Sequence, residues 1–291
     1  QGMNGWTVMP DLGSPIWFTV ITTLVLGVGI GVLAQPQLVV RFMTAKDNRS
    51  LNRAVLVGGP FILMMTGVAF TVGALTNVYF YQTQGKIAIQ VATGGNIDTI
   101  IPIFINSAMP EWFVVLFMVT LLAAAMSTLS SLFHAMGTAL ICDVWGRGRE
   151  CALSLRANQM GVLVMIVASV IVAFLMPGSI IAIATAMFMG LCASAFLPVF
   201  AVAVYCKRPD PLAAKASLVV GALVWFIWAL FVNTKYAAVF GLSKALLGTV
   251  GTLGYPWSAI DPIIIALPLS AITILILQYK RGGCRPEPQA A

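Results

Sequence analysis

Long uninterrupted apolar runs dominate the pattern of this chain. Each is about as long as the roughly 20 helical residues that cross the hydrocarbon layer of a bilayer, and none has Lys, Arg, Asp or Glu in its central part. We call them segments A to G, in chain order: near Pro15–Ala34, Val55–Leu75, Trp112–Cys142, Asn158–Met176, Ser179–Tyr205, Ser217–Val232 and Ile260–Gln278. The pattern predicts an all-α fold, a polytopic bundle of membrane helices.

The composition agrees, because 60% of the 291 residues are hydrophobic and only 9% are charged. Soluble domains are about 25% charged, and a soluble fold could not bury this much apolar surface. The connections between the segments are too short to hold a catalytic domain. We therefore expect a membrane protein that is not an enzyme.

The basic residues alternate between the two sides of the membrane. All but three of the 16 Lys and Arg residues fall in the A–B, C–D and E–F connections or after segment G. By the positive-inside rule, this predicts a cytoplasmic C-terminus and an outer N-terminus, and we expect the protein in the plasma membrane. The basic residues form no single patch, so we expect no nucleic-acid partner. Four of the five cysteines map to the predicted cytoplasmic side, which implies no disulfide framework.

The chain starts on the predicted outer side with Gln1, without Met or a signal sequence. We therefore expect further spans upstream.

Segment C carries small and hydroxyl-bearing residues at its middle, in the stretch LAAAMSTLSS. Ser127 lies 15 residues from both Trp112 and Cys142, close to the bilayer midplane at the helical rise of about 1.5 Å per residue. The hydroxyls of Ser127 and Thr128, with the Ala124 carbonyl, can replace water around a small cation. The alternative is that these hydroxyls bond their own backbone or a neighbouring helix.

His134 is the only histidine, seven residues after Ser127 and three after Ser131, so the three share one helical face. An ionisable group inside a membrane is a candidate for substrate binding or proton coupling. A neutral histidine that bonds a neighbouring helix is the alternative.

Segment A ends in Gly27, Gly29 and Gly31, followed by Gln35 and Pro36. Glycine lowers helix propensity, and proline disfavours a helical conformation at the residue before it. We expect this helix to loosen or bend at that end. The glycines fit a binding role or a small-residue packing face.

Two stretches resemble the sodium/solute symporter family, which includes sodium-coupled proline, pantothenate and glucose transporters. Leu122–Ser131 is similar to the family's small-Met-Ser-Thr helix, and Gly31–Lys46 to its Gln-Pro-x-x-x-x-Arg segment. The resemblance implies a core of two inverted five-helix repeats. Residues 1–206 would be the second repeat, 207–279 two peripheral helices and 280–291 a cytoplasmic tail, with the first repeat supplied by a missing N-terminal half.

The resemblance also implies sodium-coupled symport of a small organic solute, with sodium on the Ala124 carbonyl and the Ser127 and Thr128 hydroxyls. The remaining sodium ligands would come from the first core helix. Val28 and Val32 stand where proline transporters carry aromatic residues, which favours a pantothenate-like solute over proline, with other amino acids or carboxylates also possible. The candidate substrate-binding residues are Gly27, Val28, Gly31, Val32, Gln35, Ser131 and His134.

Other classes stay open. A transporter-like sensor module would need a fused signalling domain, and a passive sodium channel would conduct without solute. A seven-helix receptor has the same number of spans. A retinal protein, however, needs a lysine inside its last span, and segment G has none before Lys280.

Overall fold

The computed structural model describes residues 9–92, 96–146, 155–176, 181–206 and 208–281, apart from the side chains of residues 40–42. Within these ranges the regular elements are helices, with short 3-10 turns at Ile97–Thr99, which opens α5, and at Trp257–Ala259. They are, in chain order, α1 Pro15–Leu33, α2 Pro36–Met43, α3 Asn48–Gln84, α4 Ala88–Val91, α5 Ile97–Ala108, α6 Glu111–Trp145, α7 Leu155–Leu175, α8 Ile181–Tyr205, α9 Pro211–Phe231, α10 Thr234–Phe240, α11 Leu242–Leu247 and α12 Ile263–Lys280.

In these described ranges, seven helices are long and apolar enough to cross a membrane: α1, α3, α6, α7, α8, α9 and α12. They correspond to segments A to G, so the predicted all-α membrane bundle is confirmed. Several helices extend past the apolar runs, because helical hydrogen bonding continues into polar turns. Helix α3, for example, spans Asn48–Gln84.

The chain forms two compact units. Residues 1–47 and 180–291 make one unit, which we call the four-span unit, and residues 48–179 make the other, the three-span unit. The two units are defined by which helices contact one another. The division into a second repeat over 1–206 and peripheral helices over 207–279 concerns internal symmetry, and it stays a prediction.

In the four-span unit, α8, α9 and α12 pack against one another, and α1 packs against α8. Trp225 lies in the core with Met187, Tyr236 and Ala266. Two serines add reciprocal hydrogen bonds between α9 and α12. Ser217 Oγ donates to the Ser270 carbonyl, and Ser270 Oγ donates to the Ser217 carbonyl, each at 3.0 Å.

In the three-span unit, α6 packs closely against α7. The approach requires glycine on both helices. A Cβ atom at Gly137 would lie 2.7 Å from the Val162 amide nitrogen, and one at Gly161 would lie 2.8 Å from the Gly137 carbonyl oxygen. These contacts place α6, the helix with the hydroxyl cluster, against α7.

Cys142 and Cys206 each take part in a disulfide, so the expectation of no disulfide is wrong. That expectation depended on the redox compartment, which sets how often disulfides form. Both residues lie at helix ends, where the chain can turn and bring another cysteine within bonding distance.

Candidate functional site

The predicted sodium ligands lie in the middle of α6. Thr128 Oγ1 donates a hydrogen bond to the Ala124 carbonyl oxygen at 3.0 Å, so two of the three predicted oxygen ligands are direct neighbours. Ser131 Oγ in turn donates to the Thr128 carbonyl at 2.8 Å. The same contact is also expected if these hydroxyls only bond their own helix backbone. A threonine hydroxyl reaches the carbonyl one turn earlier in any helix.

The chemistry of this group fits a sodium ion. Ala124, Ser127 and Thr128 all lie on exposed surface of the described structure, and the atoms that they offer are uncharged oxygens. Uncharged ligands suit a monovalent ion that must be released, since a carboxylate at membrane depth is costly. The Ala124 carbonyl and Thr128 hydroxyl are close enough to contact one cation together.

Ser131 and His134 continue the same helix and are also exposed in the described structure. The His134 carbonyl accepts a hydrogen bond from Thr138 Oγ1 at 2.8 Å. Their common face follows from helical periodicity. Their role in substrate binding stays a prediction.

Helix α1 changes geometry along its length, but the change begins before the glycine-bearing end where the sequence predicts loosening. It is a π-helix over Thr19–Val28 and an α-helix over Gly29–Leu33. The chain then leaves helical geometry at Gln35, and α2 begins at Pro36. The predicted break is confirmed. Its physical cause is the proline, which disfavours the helical conformation at the preceding residue. π-helical segments occur frequently at functional sites.

The α1 candidates differ in environment. Gly27, Gly31 and Gln35 are buried, whereas Val32 is exposed and Val28 is half-buried. Gln35 accepts a hydrogen bond from Gln37 Nε2 at 3.2 Å. These residues belong to the four-span unit and the α6 candidates to the three-span unit.

Gly31 has a packing role in this structure. A Cβ atom there would lie 2.6 Å from both the Cβ and the carbonyl oxygen of Met189 on α8. We expect Gly31→Ala to destabilise the protein by about 1–3 kcal/mol through overpacking. Thermal unfolding of the purified chain measures this.

Gly29→Ala is the matched control, because a Cβ atom there meets nothing within 4 Å. We expect no loss of stability, and a gain of up to about 1 kcal/mol from helix propensity. Equal melting temperatures for the two variants would contradict the assigned contact.

The sequence does not single out Asp261, a fully buried carboxyl just before α12. Tyr236 donates to its Oδ2 at 2.6 Å, and the Ile263 amide donates to its Oδ1 at 3.1 Å. An Asp-Pro pair at the edge of an apolar run is a signal for a helix start, but it does not predict burial.

A family model matches residues 13–221 of the chain, and it describes the sodium:solute symporter family. The chain belongs to this family. Its members are transporters rather than enzymes. With the seven apolar helices, this makes the protein a multi-pass membrane protein.

Three curated proteins are similar to this symporter-family chain. A high-affinity proline transporter of Bacillus subtilis is 28% identical over 69% of the chain and 42% of its own length. The sodium/proline symporter of Escherichia coli is 26% identical over 76% and 44%. Sodium/proline symporter 2 of Staphylococcus saprophyticus is 24% identical over 79% and 47%. The chain therefore spans less than half the length of these relatives. No solved structure matches it.

Proposed function

We propose that this chain is part of a sodium-coupled symporter that carries a small organic solute across the plasma membrane. The observation that supports this most is the match of residues 13–221 to the sodium:solute symporter family, together with two neighbouring oxygens, the Ala124 carbonyl and the Thr128 hydroxyl. They lie at the middle of a membrane helix in a chain of the sodium:solute symporter family.

In this proposal, sodium binds the Ala124 carbonyl and the hydroxyls of Ser127 and Thr128, together with ligands from outside the chain. Sodium enters from outside and favours the conformation that binds solute. An ion shifts such an equilibrium only by its differential affinity for the two conformations. The solute and sodium are then released inside.

The proposed architecture follows the family resemblance. Residues 1–206 form the second inverted repeat and 207–279 two peripheral helices, with the tail 280–291 in the cytoplasm. An N-terminal half of the same transporter supplies the first repeat and the remaining sodium ligands. Inverted repeats of this kind place ion and substrate sites near the bilayer midplane.

The proposed solute is a small organic carboxylate. The three similar proteins are named for proline, which makes proline the first solute to assay, ahead of the pantothenate-like solute that the sequence favours. The two share a carboxylate group. Gly27, Val28, Gly31, Val32, Gln35, Ser131 and His134 remain the proposed contacts.

Uptake into proteoliposomes that contain the full-length gene product tests the proposal. We expect an inward sodium gradient, and not an equal potassium gradient, to drive accumulation of labelled proline or pantothenate above the level in protein-free liposomes. Solute uptake at the same rate with and without the sodium gradient would contradict sodium-coupled symport. Sodium current in the absence of solute would indicate a channel instead.

A further inference from the structure

Asp261 lies where three parts of the four-span unit meet. Its carboxylate accepts hydrogen bonds from the Tyr236 hydroxyl on α10 and from the Ile263 amide at the start of α12. Its own amide donates to Thr22 Oγ1 on α1 at 3.2 Å. The side chain is 0% exposed. Asp261 thus connects α10 and α12 through its carboxylate and α1 through its backbone amide, in a fully buried position.

The groups around this carboxylate are neutral in the described structure. The Thr23 hydroxyl lies near both Asp261 and Tyr236, and α8 and α9 contribute Gly190 and Trp225. Tyr236 is the titratable group that faces Asp261. Lys235 is its neighbour along the chain, but its Nζ donates to Thr19 Oγ1 at 2.7 Å. In the described residues, no cation is paired with Asp261, so a charged Asp261 would be a buried charge, which proteins avoid unless it is paired.

Trp225 supplies a second and independent observation. Its side chain is 2% exposed, and its Nε1 donates to no atom of the described residues. A Cβ atom at Gly190 would lie 3.1 Å from this Nε1 and 3.4 Å from Asp261 Oδ1. The unpaired Trp225 N–H and the Asp261 carboxylate therefore both lie beside Gly190, which has no side chain. A buried donor without an acceptor is costly, and the Asp261 carboxylate is an acceptor beside the same glycine.

We propose that Asp261 is a proton-binding site, and that its ionised form draws a hydrogen bond from the Trp225 indole more strongly than its protonated form does. The ionised carboxylate can accept from Trp225, Tyr236 and Ile263 together. The protonated carboxyl instead donates from Oδ2 towards the Tyr236 hydroxyl oxygen, and its Oδ1 becomes an uncharged and weaker acceptor for the indole N–H. A proton is also the ligand that needs no cavity. This proposal does not depend on the proposed transport function.

The direction of the pH effect follows from burial. Burial raises the pKa of Asp261 above its ordinary value of 3.8, so the folded protein binds the proton more tightly than the unfolded chain does. The bound proton therefore stabilises the folded protein. This stabilisation is fully present below pH 3.8 and is lost as pH rises through the pKa of Asp261 in the folded protein. Burial and the Asp261 carboxylate both raise the pKa of Tyr236, so its hydroxyl keeps its proton throughout this range.

Thermal unfolding of the full chain in detergent, between pH 8 and pH 5, tests the site. We expect the melting temperature to be higher in acid, by about 3–5 °C for each unit of pKa shift. Asp261→Asn should lose this pH dependence. Asp98→Asn is the matched control, because Asp98 is exposed, and it should keep the pH dependence of the unchanged protein. Equal pH dependence in both variants would overturn the proposal.

Tryptophan emission gives a second test that leaves Asp261 in place. We expect the emission of the unchanged chain to titrate with a midpoint above the ordinary carboxyl value of 3.8. Trp225→Phe should remove most of this transition, because Trp225 Nε1 lies beside the same glycine as Asp261 Oδ1, whereas Trp228 donates to the Ile260 carbonyl. If both proteins titrate alike, the Trp225 part of the proposal is wrong, even if Asp261→Asn does not fold.

Discussion

Replacing Ser127 and Thr128 together by alanine is expected to raise the sodium concentration for half-maximal uptake at least tenfold. The double variant removes two of the three proposed oxygen ligands of α6 and leaves the Ala124 carbonyl. A loss of about 1.4 kcal/mol in binding free energy already corresponds to a tenfold change in affinity. The measurement is solute uptake by the full-length protein over a series of sodium concentrations.

Thr120→Ala is the matched control for this prediction. Thr120 Oγ1 donates to the Leu116 carbonyl at 2.8 Å on the same helix, the same local bond that Thr128 makes with Ala124. If the hydroxyls only bond their own backbone, the control and the double variant should behave alike. An unchanged sodium dependence in the double variant would remove Ser127 and Thr128 from the site.

Gly221→Ala is expected to destabilise the four-span unit by about 3 kcal/mol, near the upper end of the usual overpacking cost. A Cβ atom there would overlap the Ser194 carbonyl oxygen on α8, and it would lie 2.9 Å from Ser270 Oγ on α12. The carbonyl belongs to a helix backbone, so it cannot move aside as a flexible side chain could. We expect the melting temperature to fall by about 6 °C or more.

Gly67→Ala on α3 is the control, because a Cβ atom there has no neighbour within 4 Å. We expect its melting temperature to stay equal or rise slightly, since alanine favours the helix more than glycine does. A similar fall in both variants would show that the effect comes from the helix itself rather than from contact with Ser194.

The glycines show where prediction from the sequence stops. Gly29 and Gly31 lie two residues apart in one apolar segment, and the sequence does not distinguish them. Only Gly31 faces Met189 closely. The difference arises from the side of α1 that meets α8, which depends on how the two helices are placed.

Asp261 is a second residue whose environment the sequence does not predict. At the edge of an apolar segment, next to a proline, it looks like an ordinary residue of a helix start. In the structure it is fully buried and bonded to Tyr236. The two are 25 residues apart in the chain, and only the return of α12 against α10 and α1 brings them together.

The sequence by itself determined the helical class, the seven spans and the break at Gln35. A bilayer leaves no water for backbone groups, so an apolar run of this length must be helical, and proline acts on its own neighbour. The contact of Thr128 with Ala124 is equally local, since helical periodicity sets it. Only the tertiary structure decided which glycines are packing contacts and that a carboxyl is buried beside an unpaired indole. Those features depend on distances between residues far apart in the chain, which local rules do not determine.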